Sequence, residues 1–259
     1  MNTTRENGNV VRRMFREVEA DIYVMVDGDD TSPAEYVHKL IEPVANGEAD
    51  MCIGDRLTKG QYAEQVRSPL HKFGNNLVRN AINKTFNVKL TDILTGYRVF
   101  SRQFVKNMPV LSPGFELETE MTIFALDKRF RIKEIPVDFR ERPEGSFTKI
   151  NSVKDGYKVL KTILKMDKNY NPLKFFGRIA LILVIIGLII GIPVIVEFCK
   201  TKYITKVPSA ILATGIMGLA AIAFEAGIIL DTVVRQHKEN FELNLLRYDQ
   251  IEKLSNKNK

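Results

Sequence analysis

Apolar residues are distributed in two ways along the chain. Over the first 152 residues they come in short runs and helical repeats, and beyond residue 178 they come in two unbroken stretches. Val10, Val11, Met14, Phe15 and Val18 recur at helical spacing. Ile22–Val26 is a short apolar run that stops at Asp27-Gly28-Asp29-Asp30, the pattern of a buried strand ending in an acidic turn. Ser32-Pro33-Ala34-Glu35 has the form of a capping box with proline at the first helical position, which predicts a helix to about Ala45. Met51–Gly54 is a second short strand and ends at Asp55-Arg56. A long helix over about Arg67–Phe86, the Thr91–Arg102 block, a helix over Phe115–Leu126 and an alternating strand through Ile135, Val137 and Phe139 follow. Helix, strand, helix, strand predicts an α/β domain with a largely parallel sheet, whose ligands bind beyond the carboxyl ends of the strands. Both acidic turns fall there.

The unbroken stretches are Ile179–Val196 and Val207–Phe224, each 18 residues without a charge. With their flanks, each reaches the roughly 20 residues that cross a bilayer. Lys200, Lys202 and Lys206 occupy the short connection, so a two-helix transmembrane hairpin is expected over residues 174–231. No apolar run opens the chain, and no signal peptide is expected.

Charge changes this picture in one place. The chain carries a formal +7 over 259 residues, yet residues 1–152 balance 22 basic against 22 acidic side chains. Residues 153–178 hold seven basic and two acidic side chains, and this band abuts the first apolar stretch. A nucleic-acid partner is therefore not expected, whereas anionic lipid headgroups are. Val153, Tyr157, Leu160 and Leu164 line one helical face of the band, so residues 152–173 read as a basic amphipathic juxtamembrane segment. The lysine and arginine counts, with Arg235 and Lys238 after the second stretch, put the soluble domain and both termini on the cytoplasmic side of a multi-pass membrane protein. Residues 232–259 then form a cytoplasmic tail. Its Phe241, Leu245, Tyr248 and Ile251 suit an interfacial helix or a homo-oligomer contact. Glu225 is expected near the membrane interface. Cys52 and Cys199 make no disulfide framework and no cysteine-rich zinc module.

The chemistry gathers at Asp27-Gly28-Asp29. Two carboxylates around a glycine can meet one divalent cation and leave positions for water and phosphate oxygens, the arrangement magnesium prefers. The same aspartates can instead cap a turn. Val26–Thr31 also satisfies the DxDxT pattern of haloacid-dehalogenase-type phosphatases, with Asp27 as nucleophile. That class needs a later acidic pair behind a strand, and residues 100–152 hold none.

Four blocks in order carry a resemblance: Asp27-Gly28-Asp29 after a strand; Gly54-Asp55-Arg56; Thr91-Asp92-Ile93-Leu94-Thr95-Gly96-Tyr97-Arg98-Val99-Phe100-Ser101-Arg102; and Arg142-Pro143-Glu144-Gly145-Ser146-Phe147-Thr148-Lys149. Residues 10–150 resemble the later two-thirds of a family 2 glycosyltransferase domain of the polyprenyl-phosphate (dolichyl-phosphate-mannose-synthase-like) branch. The hairpin resembles its bacterial membrane-anchored members. The resemblance implies an incomplete GT-A-type (Rossmann-like) domain over residues 1–151, followed by the hairpin. It implies an enzyme that moves a sugar from a nucleotide-sugar donor to a polyprenyl phosphate at the cytoplasmic membrane face. Asp27 and Asp29 would hold Mg²⁺ or Mn²⁺ on the donor diphosphate. Asp92 matches the family's acidic position near the reacting carbon. Arg56, Arg98, Arg142 and Lys149 are candidates for the phosphates; the plainer reading makes them surface charges, or for Arg98 an internal salt bridge. Glu116, Glu118 and Glu120 sit on an adjacent helix, with site and capping roles both open.

The strand–helix–strand opening that binds the nucleotide in this family does not precede the match. The chain reads as part of a longer protein, as one of two chains that work together, or as a non-catalytic membrane-anchored relative acting as a partner or scaffold. Any of these leaves an apolar sheet edge to be covered.

Overall fold

A computed structural model of the chain describes residues 7–58, 69–110, 117–140, 163–203 and 205–257. Contacts divide it into two units, Met1–Leu160 with Leu245–Lys259, and Lys161–Asn244.

In the first unit, α1 (Asn7–Glu17) leads into β1 (Ile22–Met25), and a 3₁₀ turn over Ala34–Tyr36 into α2 (Val37–Ala45) and β2 (Met51–Asp55). Then come α3 (Pro69–Phe86), β3 (Arg98–Ser101), α4 (Arg102–Asn107), α5 (Leu117–Asp127) and β4 (Ile132–Pro136). The expected capping box does not form: Pro33 takes the cap position of the 3₁₀ turn without a side-chain cap bond. Glu35 is drawn away to the Arg140 guanidinium, 2.7 Å from its Nη2. The last strand also lies earlier than its alternation suggested, and Val137 and Phe139 follow its end.

The strand order is β1-β3-β2-β4. β2 and β4 pair in parallel, but β3 is antiparallel to both β1 and β2. The expectation of a largely parallel sheet is thus corrected, and the reason is local. Gly96, at the end of the Thr91–Gly96 loop, lies against Asp27 just past β1, and the next residue, Tyr97, lies against Gly54 near the carboxyl end of β2. A strand that starts there can only run back the other way.

Alternation sends successive β3 side chains to opposite faces of the sheet. Val99 packs with Cys52, Leu40 and Val44 under α2. Phe100 turns the other way, stacked on Phe104 at 5.1 Å and edge-on to Phe15 at 5.9 Å. Phe124 and Phe130 close that cluster around Phe104. Truncating a side chain buried as fully as Phe104 costs about 3–5 kcal/mol. Burial pushes the Cys52 thiol up to about 12, so it packs as a small apolar group and not as a nucleophile. Among the described residues β1 is paired on one side only, and Val24 and Val26 are exposed, as are Val10 and Met14 of α1.

The second unit is dominated by α6 (Pro172–Thr201) and by α7, which begins at Val207 and continues to Lys257; residues 163–170 are also helical. Both long helices are apolar enough to cross a membrane, with mean hydropathy 3.3 and 2.0, and little of either apolar window is buried within the protein. They pack through small residues: a methyl on Gly187 would lie 2.9 Å from Met217 Sδ, and one on Gly191 would lie 3.4 Å from Ala213 Cβ. Gly227 lies against Phe176 and Leu173. Glu225, two residues earlier, is therefore near the level of the start of α6, the helix end that carries Lys174 and Arg178. The remaining residues expected to form the amphipathic segment, Val153, Tyr157 and Leu160, lie outside the described residues.

Candidate active site

The site grows from the way β3 begins. Thr95 Oγ1 accepts the Tyr97 amide at 3.2 Å and bends the chain, and Tyr97 then runs buried beneath the acidic turn, its hydroxyl donating to Pro33 O at 3.2 Å. Gly54 lets Tyr97 approach: a methyl there would lie 3.3 Å from both the ring and the carbonyl of Tyr97. Gly96 does the same for Asp27. A methyl on Gly96 would lie 2.7 Å from Asp27 Oδ2 and 3.1 Å from its Cγ, so the carboxylate occupies the space a side chain would take. The acidic turn and the Thr91–Arg98 loop are therefore in direct contact.

Arg98 is fully buried. Its Nη2 donates to Ile93 O at 2.7 Å, its Nε to Thr95 O at 2.9 Å and its Nη1 to Thr122 Oγ1 at 2.9 Å. Thr122 in turn donates to Glu118 O at 2.9 Å, which ties α5 to the loop. Burial draws the guanidinium down to about 10, still cationic at neutral pH, with Glu118 and Asp92 favouring the charge. The expectation that Arg98 holds a phosphate is corrected, since its donors face backbone carbonyls and it has no exposed surface. Among the described residues it makes no salt bridge; its oxygen partners are the Ile93 and Thr95 carbonyls and the Thr122 hydroxyl.

Asp92 and Arg56 meet as a nearly buried pair, Nε to Oδ2 at 2.7 Å and Nη2 to Oδ1 at 3.1 Å, with the Arg56 amide adding a bond at 3.2 Å. Side-chain exposures of 14% and 4% put this pair among the stronger kinds of ion contact. The guanidinium also lies 5.7 Å from the Phe139 ring centroid. Asp55, at the end of β2, holds the turn that carries Arg56 by accepting the Leu57 and Thr58 amides at 2.8 and 3.2 Å.

At the acidic turn, Asp29 Oδ1 accepts from the Thr31 hydroxyl at 2.7 Å and its amide at 3.2 Å, so Asp29 does cap the turn. Asp27 is exposed and receives no hydrogen bond from a described residue. Nothing lies within 4 Å of a methyl built on Gly28, so the space between the carboxylates is open. No group of three or more ligating side chains forms a metal centre among the described residues. Two carboxylates suit a hard cation completed by substrate phosphates, and not a closed structural metal.

Arg140 and Glu134, which the sequence did not single out, and Glu118, whose role it left open, belong to this neighbourhood. Arg140 reaches over the turn to Asp30 at 3.4 Å and Glu35 at 2.7 Å, and its amide donates to Thr31 O. Glu118 feels Asp27, Arg98 and Arg56 together, and burial raises its carboxyl above the ordinary value. Glu134 receives the amides of Thr91 and Asp92. The three-glutamate helix was legible in the sequence, but which glutamate points inward was not. Arg142, Lys149 and Glu116 lie outside the described residues.

No family model matches the chain. It is 43% identical over 162 residues to an uncharacterized protein of Shigella flexneri, covering 61% of the chain and 99% of that protein. It is 28% identical over 237 residues to glycosyltransferase AglJ of Haloferax volcanii, 91% of the chain and 77% of the relative. It is 31% identical over 147 residues to a dolichol-phosphate mannosyltransferase of Pyrococcus furiosus, 55% of the chain but 40% of that protein. The characterised relatives of the chain are thus glycosyltransferases, a dolichol-phosphate mannosyltransferase among them. These glycosyltransferase relatives lend no support to the phosphatase reading of Val26–Thr31, and the Thr31 hydroxyl serves Asp29, not Asp27.

Proposed function

We propose that the chain transfers one sugar from a nucleotide-sugar donor to a polyprenyl phosphate at the cytoplasmic face of the membrane. The observation that carries this reading is the Asp27 carboxylate seated against Gly96, which joins the acidic turn to the loop bearing Asp92. Asp27 and Asp29 are assigned to a divalent cation, Mg²⁺ or Mn²⁺, which when bound neutralises charge on the departing diphosphate. An acceptor phosphate oxygen bonds to the anomeric carbon as the bond from that carbon to the nucleoside diphosphate breaks, and the electron pair leaves with the diphosphate. The acceptor is already an anion, so no proton has to be removed. Asp92 then serves by facing positive character on the sugar carbon. Arg56, poised on Asp92, has the bidentate geometry to exchange that carboxylate for the acceptor phosphate. Arg142 and Lys149 are assigned to the same phosphate, and Arg98 becomes the residue that shapes the loop. The basic band at 153–178 holds anionic headgroups, and α6 and α7 span the bilayer with both ends cytoplasmic.

The test uses membranes carrying the full chain, undecaprenyl phosphate, and labelled UDP-glucose, UDP-N-acetylglucosamine or GDP-mannose. One donor should give a labelled lipid, and chelation of divalent metal should abolish it. Full activity in both Asp27→Asn and Asp29→Asn would remove the cation assignment. Purified chain that binds neither UDP nor GDP with magnesium would leave the scaffold reading in place.

A further inference from the structure

We infer that Glu134 is the positioning residue of Asp92, an inference that rests on the transferase reading and adds to it the part that fixes the acidic group. Glu134 stands in β4, in parallel register with Ile53 of the fully buried strand β2, so its backbone is held by the sheet. Its carboxylate crosses to the loop. Oε1 accepts the Thr91 amide at 2.8 Å and the Asp92 amide at 2.9 Å, and Oε2 accepts the Thr91 amide at 2.9 Å. Burial pushes the Glu134 carboxyl up while these two amides draw it back. One residue earlier, Leu90 is gripped through both backbone groups by Asn83 at 2.9 and 3.0 Å. The turn is thus pinned from behind at three consecutive residues, while the Asp92 side chain leaves it toward Arg56. Displacements of about 1 Å at such a group lower rates by as much as ~100-fold.

Glu134→Gln tests this with little change of shape. One oxygen still accepts, but the other becomes an NH₂ opposed to the Thr91 amide. Amide exchange is measured on the full chain in detergent micelles. The Thr91 and Asp92 amides should exchange at least about tenfold faster in the variant, with β2 and β3 amides unchanged. In the transfer assay, kcat should fall roughly tenfold with donor KM within about twofold, and Glu134→Gln combined with Asp92→Asn should be no slower than Asp92→Asn alone. Unchanged exchange, or losses that add, overturn the inference. Should the glutamine variant fail to fold, Glu134→Asp keeps the charge, withdraws it by one methylene and carries the same comparison. A wild-type chain inactive on every donor would defeat the transferase reading, and the exchange result would still decide whether Glu134 holds the turn.

Discussion

The two loops that meet at the site are built in opposite ways. In the Thr91–Arg98 loop most polar groups are already bound: Glu134 holds the first two amides, Thr95 makes the turn, and Arg98 closes the back. The Asp27–Asp29 turn is open, with Asp27 exposed and Gly28 surrounded by space. The difference separates holding from binding. A buried polar group left without a partner costs about 1–3 kcal/mol, so the inner loop had to satisfy its own. An exposed carboxylate is hydrated and can wait for a cation at little cost to stability.

Substitutions should therefore damage stability on one side and activity on the other. Arg98→Ala should have the largest effect, a loss of about 3–5 kcal/mol, because it empties a buried space and orphans the Ile93 and Thr95 carbonyls. The check is the thermal midpoint of the detergent-solubilised chain; a shift as small as a surface substitution gives would erase the contrast between the loops. Asp27→Asn comes next, with transfer reduced about 100-fold, near 2.7 kcal/mol in the barrier, and the midpoint unmoved. Gly96→Ala should be milder, because the added methyl pushes aside a movable carboxylate. We expect transfer to fall about tenfold with more metal needed for half-maximal rate, and little change in melting.

Glu118→Gln is the smallest and has the opposite sign. The raised carboxyl means that the fold prefers the protonated form. That preference stabilises fully at low pH and is lost as pH climbs through the raised value, so at pH 7 the ionised group weighs against the fold. Glutamine should raise the midpoint by a few degrees at pH 7 and leave it unchanged near pH 4. A midpoint lowered at pH 7 would show that Arg98 and Arg56 more than compensate for the burial.

Much of the fold was legible because it rests on local patterns. The apolar run Ile22–Val26, the buried Met51–Asp55 and the Pro69–Phe86 helix announce themselves through spacing alone. The two long apolar helices do so through length and the lack of charge, which no tertiary contact is needed to reveal. The strand through Ile132–Pro136 was misplaced because the alternation of Ile135, Val137 and Phe139 extends past the last ladder pair. Ser32 and Glu35 have capping-box spacing, but Arg140, far away in sequence, took Glu35.

The sequence by itself determined which residues are candidates for the chemistry: Asp27, Asp29, Arg56 and Asp92 stand out through type, order and their place after strands. Only the tertiary structure decided what each of them faces. It turned β3 antiparallel, buried the Arg98 guanidinium under the loop it shapes, paired Arg56 with Asp92, and brought in Glu118, Glu134 and Arg140. The physical reason is one of range. Hydrophobic periodicity and turn propensity act between near neighbours in the chain, whereas the partner of a buried charge is whichever dipole or opposite charge the packed sheet and helices bring within about 3 Å.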